Sequence, residues 1–251
     1  MIKRTFADIP IFDFDVIDST NKYCLDNIKS LENEFSRSNS WLKAVVTAQF
    51  QTDGKGRRDR QWQSEPSSAL LSSFIIYPKF FGTMLDTTLI ITTINMILQE
   101  YSVPASIKWP NDIIIENGEN EKNNKICGVL TQIIDEYLII GIGLNVVRDD
   151  KSTLENISYL DDFKINKSPK SLLEEIITRV CGFNDDTFIP KNILDQYRNA
   201  SSTITKKVRI ETIRDKFEGT AKGISQSGSI IIELEDKSLI ELSEGDIIHI
   251  R

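Results

Sequence analysis

The longest apolar stretch of the chain, residues 137–147, has 11 residues and is interrupted by Gly141, Gly143 and Asn145. A membrane-spanning helix needs roughly 20 apolar residues, so this stretch has the length of a buried strand. It ends a block in which residues 106–109, 112–115, 126–134 and 137–146 are successive strand candidates. Strands spaced this closely commit the middle of the chain to a sheet. The small residues of Gly141-Ile142-Gly143-Leu144-Asn145-Val146 let something pack directly on the strand backbone, either a ligand or a tightly docked helix.

The flanking segments fit a layered α+β fold. Residues 11–17 alternate apolar with acidic side chains, as a half-buried strand does, and Asp18-Ser19-Thr20-Asn21 supplies N-cap residues for a helix running to about Leu31. Residues 44–48 and 69–77 read as strands, separated by a polar, basic segment. Helices are expected over residues 83–101, 168–183 and 190–200, and a polar hairpin or loop over 116–124. From Lys207 onward five short strands are expected, at 208–212, 217–222, 229–234, 238–242 and 246–250. Such spacing suggests a small β-barrel. The expected architecture is a central mixed sheet flanked by helices over residues 1–203, followed by a C-terminal barrel over 204–251.

Composition removes several chemistries. Lys and Arg total 30 against 37 Asp and Glu, a net charge of -7, which argues against a nucleic-acid or anionic-membrane footprint. One histidine, His249, and three separated cysteines, Cys24, Cys127 and Cys181, make Ser-His-Asp catalysis, a His-rich zinc site and a CxxC redox pair improbable. The N-terminal residues hold no uninterrupted apolar run, so no signal peptide is expected and a reducing, cytoplasmic setting fits.

Four motifs carry chemistry. Gly54-Lys55-Gly56-Arg57-Arg58-Asp59-Arg60 puts four basic residues into seven positions of an acidic chain. Arginine forks match phosphate and carboxylate oxygens, so the segment is either a loop that closes on an anionic small molecule or a solvated basic loop. It matches neither GxxxxGK[ST] nor GxGxxG. In Lys108-Trp109-Pro110-Asn111-Asp112 the corner could hold a carboxylate that orients a nucleophile, or be a turn with an aromatic plug. Lys125-Ile126-Cys127-Gly128-Val129-Leu130 places a lysine at a strand entrance, where it could face developing negative charge or simply solvent. The glycine strand around Gly141 and Gly143 is the fourth.

Taken together and in order, Ser19-Thr20-Asn21, the segment from Gln51 through Gly54-Lys55-Gly56-Arg57 to Trp62, Lys108-Trp109-Pro110-Asn111-Asp112, Lys125 to Leu130 and Gly141 to Val146 resemble the biotin protein ligases. The resemblance runs from about Phe12 to Asn145 and resumes in the last 50 or so residues, at Gly219-Thr220-Ala221-Lys222-Gly223-Ile224 and Glu244-Gly245-Asp246.

That resemblance implies ATP-dependent activation of biotin to biotinyl-5′-AMP, with Mg2+ accompanying ATP. Biotin is then transferred to a lysine of a biotin carboxyl carrier domain. It implies biotin contacts at Ser19, Thr20, Asn21, Gln51, Lys55, Gly56, Arg57, Lys125 and Gly128. ATP or adenylate contacts are implied at Lys55, Arg57, Arg58, Arg60, Trp62, Lys125 and Asn145. Lys125 and Arg57 would stabilise charge at the reacting phosphorus, and Asp112 would orient or deprotonate the acceptor lysine. Catalysis by positioning and charge neutralisation needs no histidine.

Three positions depart from the common pattern: Lys55 and Asp59 stand in the basic loop where arginine and glycine are usual, and Gln132 stands where glutamate often follows the lysine-glycine strand. The resemblance also implies no membrane partner, a monomer or homodimer and, with recognisable catalytic sequence beginning near Phe12, no operator DNA binding. A lipoate-type ligase or transferase of the same fold is the alternative enzyme, and a non-catalytic ligand-sensing module the alternative from another class.

Overall fold

The computed structural model describes residues 1–35, 41–78, 83–116, 123–149, 154–183, 189–212 and 215–249. In chain order its elements are β1 (Ile2–Phe6), β2 (Ile9–Ile17), α1 (Thr20–Leu31), β3 (Leu42–Gln51), β4 (Ala69–Ile76), α2 (Thr83–Glu100), β5 (Ala105–Lys108), β6 (Asp112–Ile115), β7 (Asn124–Ile134), β8 (Tyr137–Asn145), α3 (Pro169–Cys181) and α4 (Ile189–Asn199). Five C-terminal strands follow: β9 (Lys207–Glu211), β10 (Lys216–Ile224), β11 (Ile230–Glu233), β12 (Leu239–Leu242) and β13 (Asp246–His249). The helices and strands fall where the sequence places them, with β1 as an addition. Most of the polar segment 116–124 lies outside the described residues.

The chain divides into two compact units, one of Met1–Lys79 with Asn117–Asn184 and one of Phe80–Glu116 with Asp185–Arg251. In the first, six strands lie in the order β1-β2-β3-β4-β8-β7. The sheet is mixed, because β2 and β3 are parallel while β3, β4, β8 and β7 pair antiparallel in turn. Alternation assigns its faces. Phe12, Val46, Ser73, Gly141 and Leu130 stand in register on one face, and Ile11, Val45, Phe74 and Ile140 on the other.

Helix α1 covers the first face. Ser19 caps it with an extended backbone and accepts from the Lys22 amide, and Cys24, Ile28 and Leu31 recur at helical spacing as its buried stripe. They pack with Phe12, Ala44, Val46, Ile75 and Ile139. Thr20 and Asn21 lie in the first turn of this stripe and are 3% and 4% exposed, so the helix delivers two polar side chains into the sheet face. Helix α3, capped by Ser168 with Pro169 in its first turn, packs on β4 with Leu172, Leu173, Ile176, Ile177 and Val180 buried.

In the second unit, β5 and β6 form an antiparallel hairpin and α2 packs with α4 and β5. The C-terminal strands form an antiparallel sheet ordered β12-β11-β10-β9-β13. The expected small barrel is not closed: among the described residues no ladder joins β12 to β13. Gly245, at φ 145, sits so close to β9 that a methyl group there would be 2.5 Å from Ile210 Cγ2. From there β13 runs antiparallel beside β9. Three residues, 243–245, connect the two edge strands, so the sheet curls until its edges are within about 14 Å without closing.

Candidate active site

A polar chain runs across the α1 face of the sheet. The Thr20 amide donates to Gln51 Oε1 at 2.7 Å, and Thr20 Oγ1 lies 3.0 Å from the same oxygen. Ser73 Oγ, at the middle of β4, lies 2.7 Å from Thr20 Oγ1 and 2.6 Å from Asn21 Oδ1. Asn21 Nδ2 donates to Gln132 Oε1 at 2.9 Å and to the Leu130 carbonyl at 3.3 Å. Asn21 can lie flat here because Gly141, paired with Ser73 and with Leu130, carries no side chain; a methyl group at Gly141 would run into Asn21 Oδ1. Ser19 is buried as the helix cap.

Two residues further along β8, Gly143 serves the other half of the site. The Trp62 indole rests on it, and a methyl group at Gly143 would be 2.6 Å from Trp62 Cζ2. Gly128, paired with Gly143, opens the adjacent strand so that Lys125 Nζ and the Trp62 ring lie over it; its added methyl would be 2.6 Å from Lys125 Nζ. Lys125 Nζ is 5.4 Å from the Trp62 ring centroid, within cation–π range. The indole Nε1 is buried with no hydrogen-bond partner among the described residues. Asn145 is buried at the end of β8 and donates from Nδ2 to the Lys125 carbonyl at 3.3 Å, which ties the lysine's strand to the glycine strand.

The basic segment forms a short hairpin. The Gly56 amide donates to the Arg60 carbonyl at 2.7 Å, the Trp62 amide donates to the Gly54 carbonyl at 3.0 Å, and Lys55 bridges Gln61. The Arg60 amide donates to the Arg57 carbonyl at 3.2 Å and closes a tight turn over Arg58 and Asp59. The left-handed backbone falls on Arg58, at φ 52, and Asp59, at φ 58, and not on the glycines. Asp59 therefore occupies a conformation that glycine adopts most easily, and aspartate tolerates it better than most other side chains. Lys55 Nζ is 2.5 Å from Asp53 Oδ2. The ammonium beside it holds the Asp53 carboxyl below its usual range. Arg57 is half-buried, and Arg58 and Arg60 are exposed.

The Lys108 to Asp112 corner belongs to the second unit. Its Trp109-Pro110 peptide is cis. Trp109 is 1% exposed and is held twice, its amide donating to Thr203 Oγ1 at 3.2 Å and its Nε1 to the Gly228 carbonyl at 3.2 Å. The aromatic-plug reading of this corner is thus correct for Trp109. Asp112 starts β6, half-buried, and its carboxylate adds to burial in pushing the Tyr197 phenol upward.

The first unit thus brings together Ser19, Thr20, Asn21 and Gln51 at one point and Trp62, Lys125, Gly128 and Asn145 at another, on one sheet face. Sequence reading missed Ser73, which joins Thr20 to Asn21, and Asp53, which pairs with Lys55. The signal for Ser73 was the Ser72-Ser73 pair inside an otherwise apolar strand.

Residues 14–145 match the biotin/lipoate A/B protein ligase family, and residues 203–250 match the biotin protein ligase C-terminal domain. The chain belongs to the biotin/lipoate A/B protein ligase family. Among curated relatives, it is 24% identical over 220 residues to the biotin–[acetyl-CoA-carboxylase] ligase of Mycobacterium tuberculosis, covering 82% of this chain and 79% of that one. It is 26% identical over 241 residues to the bifunctional ligase/repressor BirA of Bacillus subtilis, covering 88% and 69%. The fold is that of the Aquifex aeolicus biotin protein ligase solved with biotin and ATP, at a TM-score of 0.76, 22% identity and coverage of 96% and 98%. A biotin acetyl coenzyme A carboxylase synthetase from Helicobacter pylori has a TM-score of 0.62 at 20% identity, with coverage of 92% and 98%. No described helix is long and apolar enough to cross a membrane.

Proposed function

We propose that this family member activates biotin with ATP and transfers it from biotinyl-5′-AMP to a lysine of a biotin carboxyl carrier domain. The observation that carries this reading is the pairing of two subsites on one sheet face. One is a buried polar cluster of donors and acceptors suited to a ureido ring, and the other is a lysine and an indole lying over paired glycines. The match of residues 203–250 to the biotin protein ligase C-terminal domain favours biotin over lipoate.

In this reading Thr20, Asn21, Gln51 and Ser73 meet the biotin rings, with Ser19 holding the helix start beneath them. Trp62 and Gly128 line the path between ring and nucleotide, and Asn145 keeps Lys125 at the junction. There Lys125 neutralises charge that builds on the α-phosphorus as the biotin carboxylate attacks and pyrophosphate leaves. Lys55, Gly56, Arg57, Arg58 and Arg60 close over the carboxylate and phosphates. Asp112 orients the acceptor amine for attack on the acyl-adenylate. Among the described residues there is no cluster of three acidic, cysteine or histidine side chains to cage a metal, and Mg2+ is assigned to the MgATP substrate. The catalytic and C-terminal domains meet near residue 203, and the carrier domain is the macromolecular partner.

Isotopic pyrophosphate exchange into ATP, with biotin and lipoate offered separately, tests the reading. Exchange that depends on biotin is expected, and exchange with lipoate alone would replace the reading by the lipoate one. Substituting Asp112→Asn should leave exchange intact and slow transfer to the carrier domain; equal loss of both would remove its assigned role.

A further inference from the structure

Gln132 lies beside Asn21 on the sheet face, and its surroundings give it a task. A backbone carbonyl can only accept, so the Leu130 carbonyl fixes which end of the Asn21 amide is nitrogen. The Gln132 side-chain oxygen, 2.9 Å from that nitrogen, reinforces the choice. Asn21 Oδ1 must then face Ser73, which can satisfy it only by donating its single hydroxyl proton across 2.6 Å. Ser73 has no second proton for Thr20, so the 2.7 Å contact between the two hydroxyls requires Thr20 to donate to Ser73. Gln51 Oε1 receives the Thr20 amide instead. The direction of both hydroxyl protons follows from the Asn21 end.

We infer that Gln132 is a positioning residue for biotin: by accepting from Asn21 beside the Leu130 carbonyl it holds the Asn21 amide in place, and with it the proton direction through Ser73 and Thr20 and what these hydroxyls present to the bound ring. Their protons are committed inside the row, so their lone pairs face the ring and suit its two N–H groups. Glutamine does this as glutamate would, because the row uses only a side-chain oxygen. This assignment rests on the biotin reading of the same site.

The test is steady-state kinetics and calorimetric biotin binding with the full chain, comparing wild type with Gln132→Leu and Gln132→Glu. Removing one accepting oxygen should raise the KM and Kd for biotin about five- to tenfold. The kcat should stay within about twofold and the KM for ATP should not move, and Gln132→Glu should bind biotin as wild type does. If Gln132→Leu does not fold, as judged by its melting curve, Gln132→Met is read in its place with the same expectation. Biotin affinity unchanged in the apolar variant, an equal rise in both KM values, or failure of glutamate to restore binding would overturn the assignment. Wild-type chain that binds biotin normally in those cases keeps the functional reading intact. Wild-type chain that binds none would overturn that reading and the assignment with it.

Discussion

Gly141 and Gly143 do different work although they are two residues apart on one strand. The first leaves room for Asn21 and the second for the Trp62 indole, so an added methyl group separates the two subsites. Gly141→Ala should displace the Asn21 amide and raise the KM for biotin about tenfold, the size of a typical overpacking penalty of 1–3 kcal/mol. Gly143→Ala should lift Trp62 off the sheet, seen as a red shift of tryptophan emission, and weaken retention of the adenylate more than binding of biotin. Equal effects of both substitutions on biotin binding would contradict the division. In the basic hairpin, Asp59 is left-handed at φ 58, so Asp59→Gly should be tolerated with an unchanged or slightly higher melting temperature. A marked fall would mean that the aspartate side chain holds the turn. Lys55 and Asp53, both nearly half exposed, form the kind of ion pair that adds little stability.

At the scale of elements, α1 combines a capped start, a buried apolar stripe and two functional side chains in its first turn. The sequence showed the capped start, because a cap is a local pattern, whereas the buried stripe through Cys24 is seen only against the sheet. Ser73 was harder to see, since its partners Thr20 and Asn21 are more than 50 residues away and one serine in an apolar strand has no period. Strand β1 was missed because Ile2-Lys3-Arg4-Thr5-Phe6 has only two apolar residues, and its pairing with β2 is what makes it a strand. Five strands at barrel-like spacing also fit a curled open sheet, and among the described residues β12 and β13 are left as its two edges.

In that sheet His249 is half-buried with Nε2 lacking a partner among the described residues, and burial, then Lys108, hold its pKa below the ordinary histidine value. The unfolded chain therefore takes up this proton first. Stability from the neutral ring is complete above about pH 6.5 and declines as pH falls. Because His249 is the only histidine, the melting temperature of wild type should drop between pH 7.5 and 5.5, and His249→Gln should flatten that drop. Parallel curves would contradict the account.

For the molecule as a whole, the acidic balance and single histidine turn attention to the few places where cationic groups gather. Lys125 over the paired glycines and the hairpin from Lys55 to Arg60 are those places in the first unit. The order of motifs along the chain made the family legible, and the sheet register explains why motifs separated by over 100 residues share one face: Gly128 pairs with Gly143, and Asn21 reaches Leu130. Contacts made by single side chains, such as Asp53 with Lys55 and Gln132 with Asn21, follow only from that register and from the loop's path. ATP-dependent transfer of biotin to a carrier-domain fragment, comparing wild type with Lys125→Ala, tests the central claim most directly. Labelled carrier with wild type and loss of labelling by at least 100-fold with the variant is the predicted result. Absence of labelling by the wild type, or equal labelling by both, would contradict it.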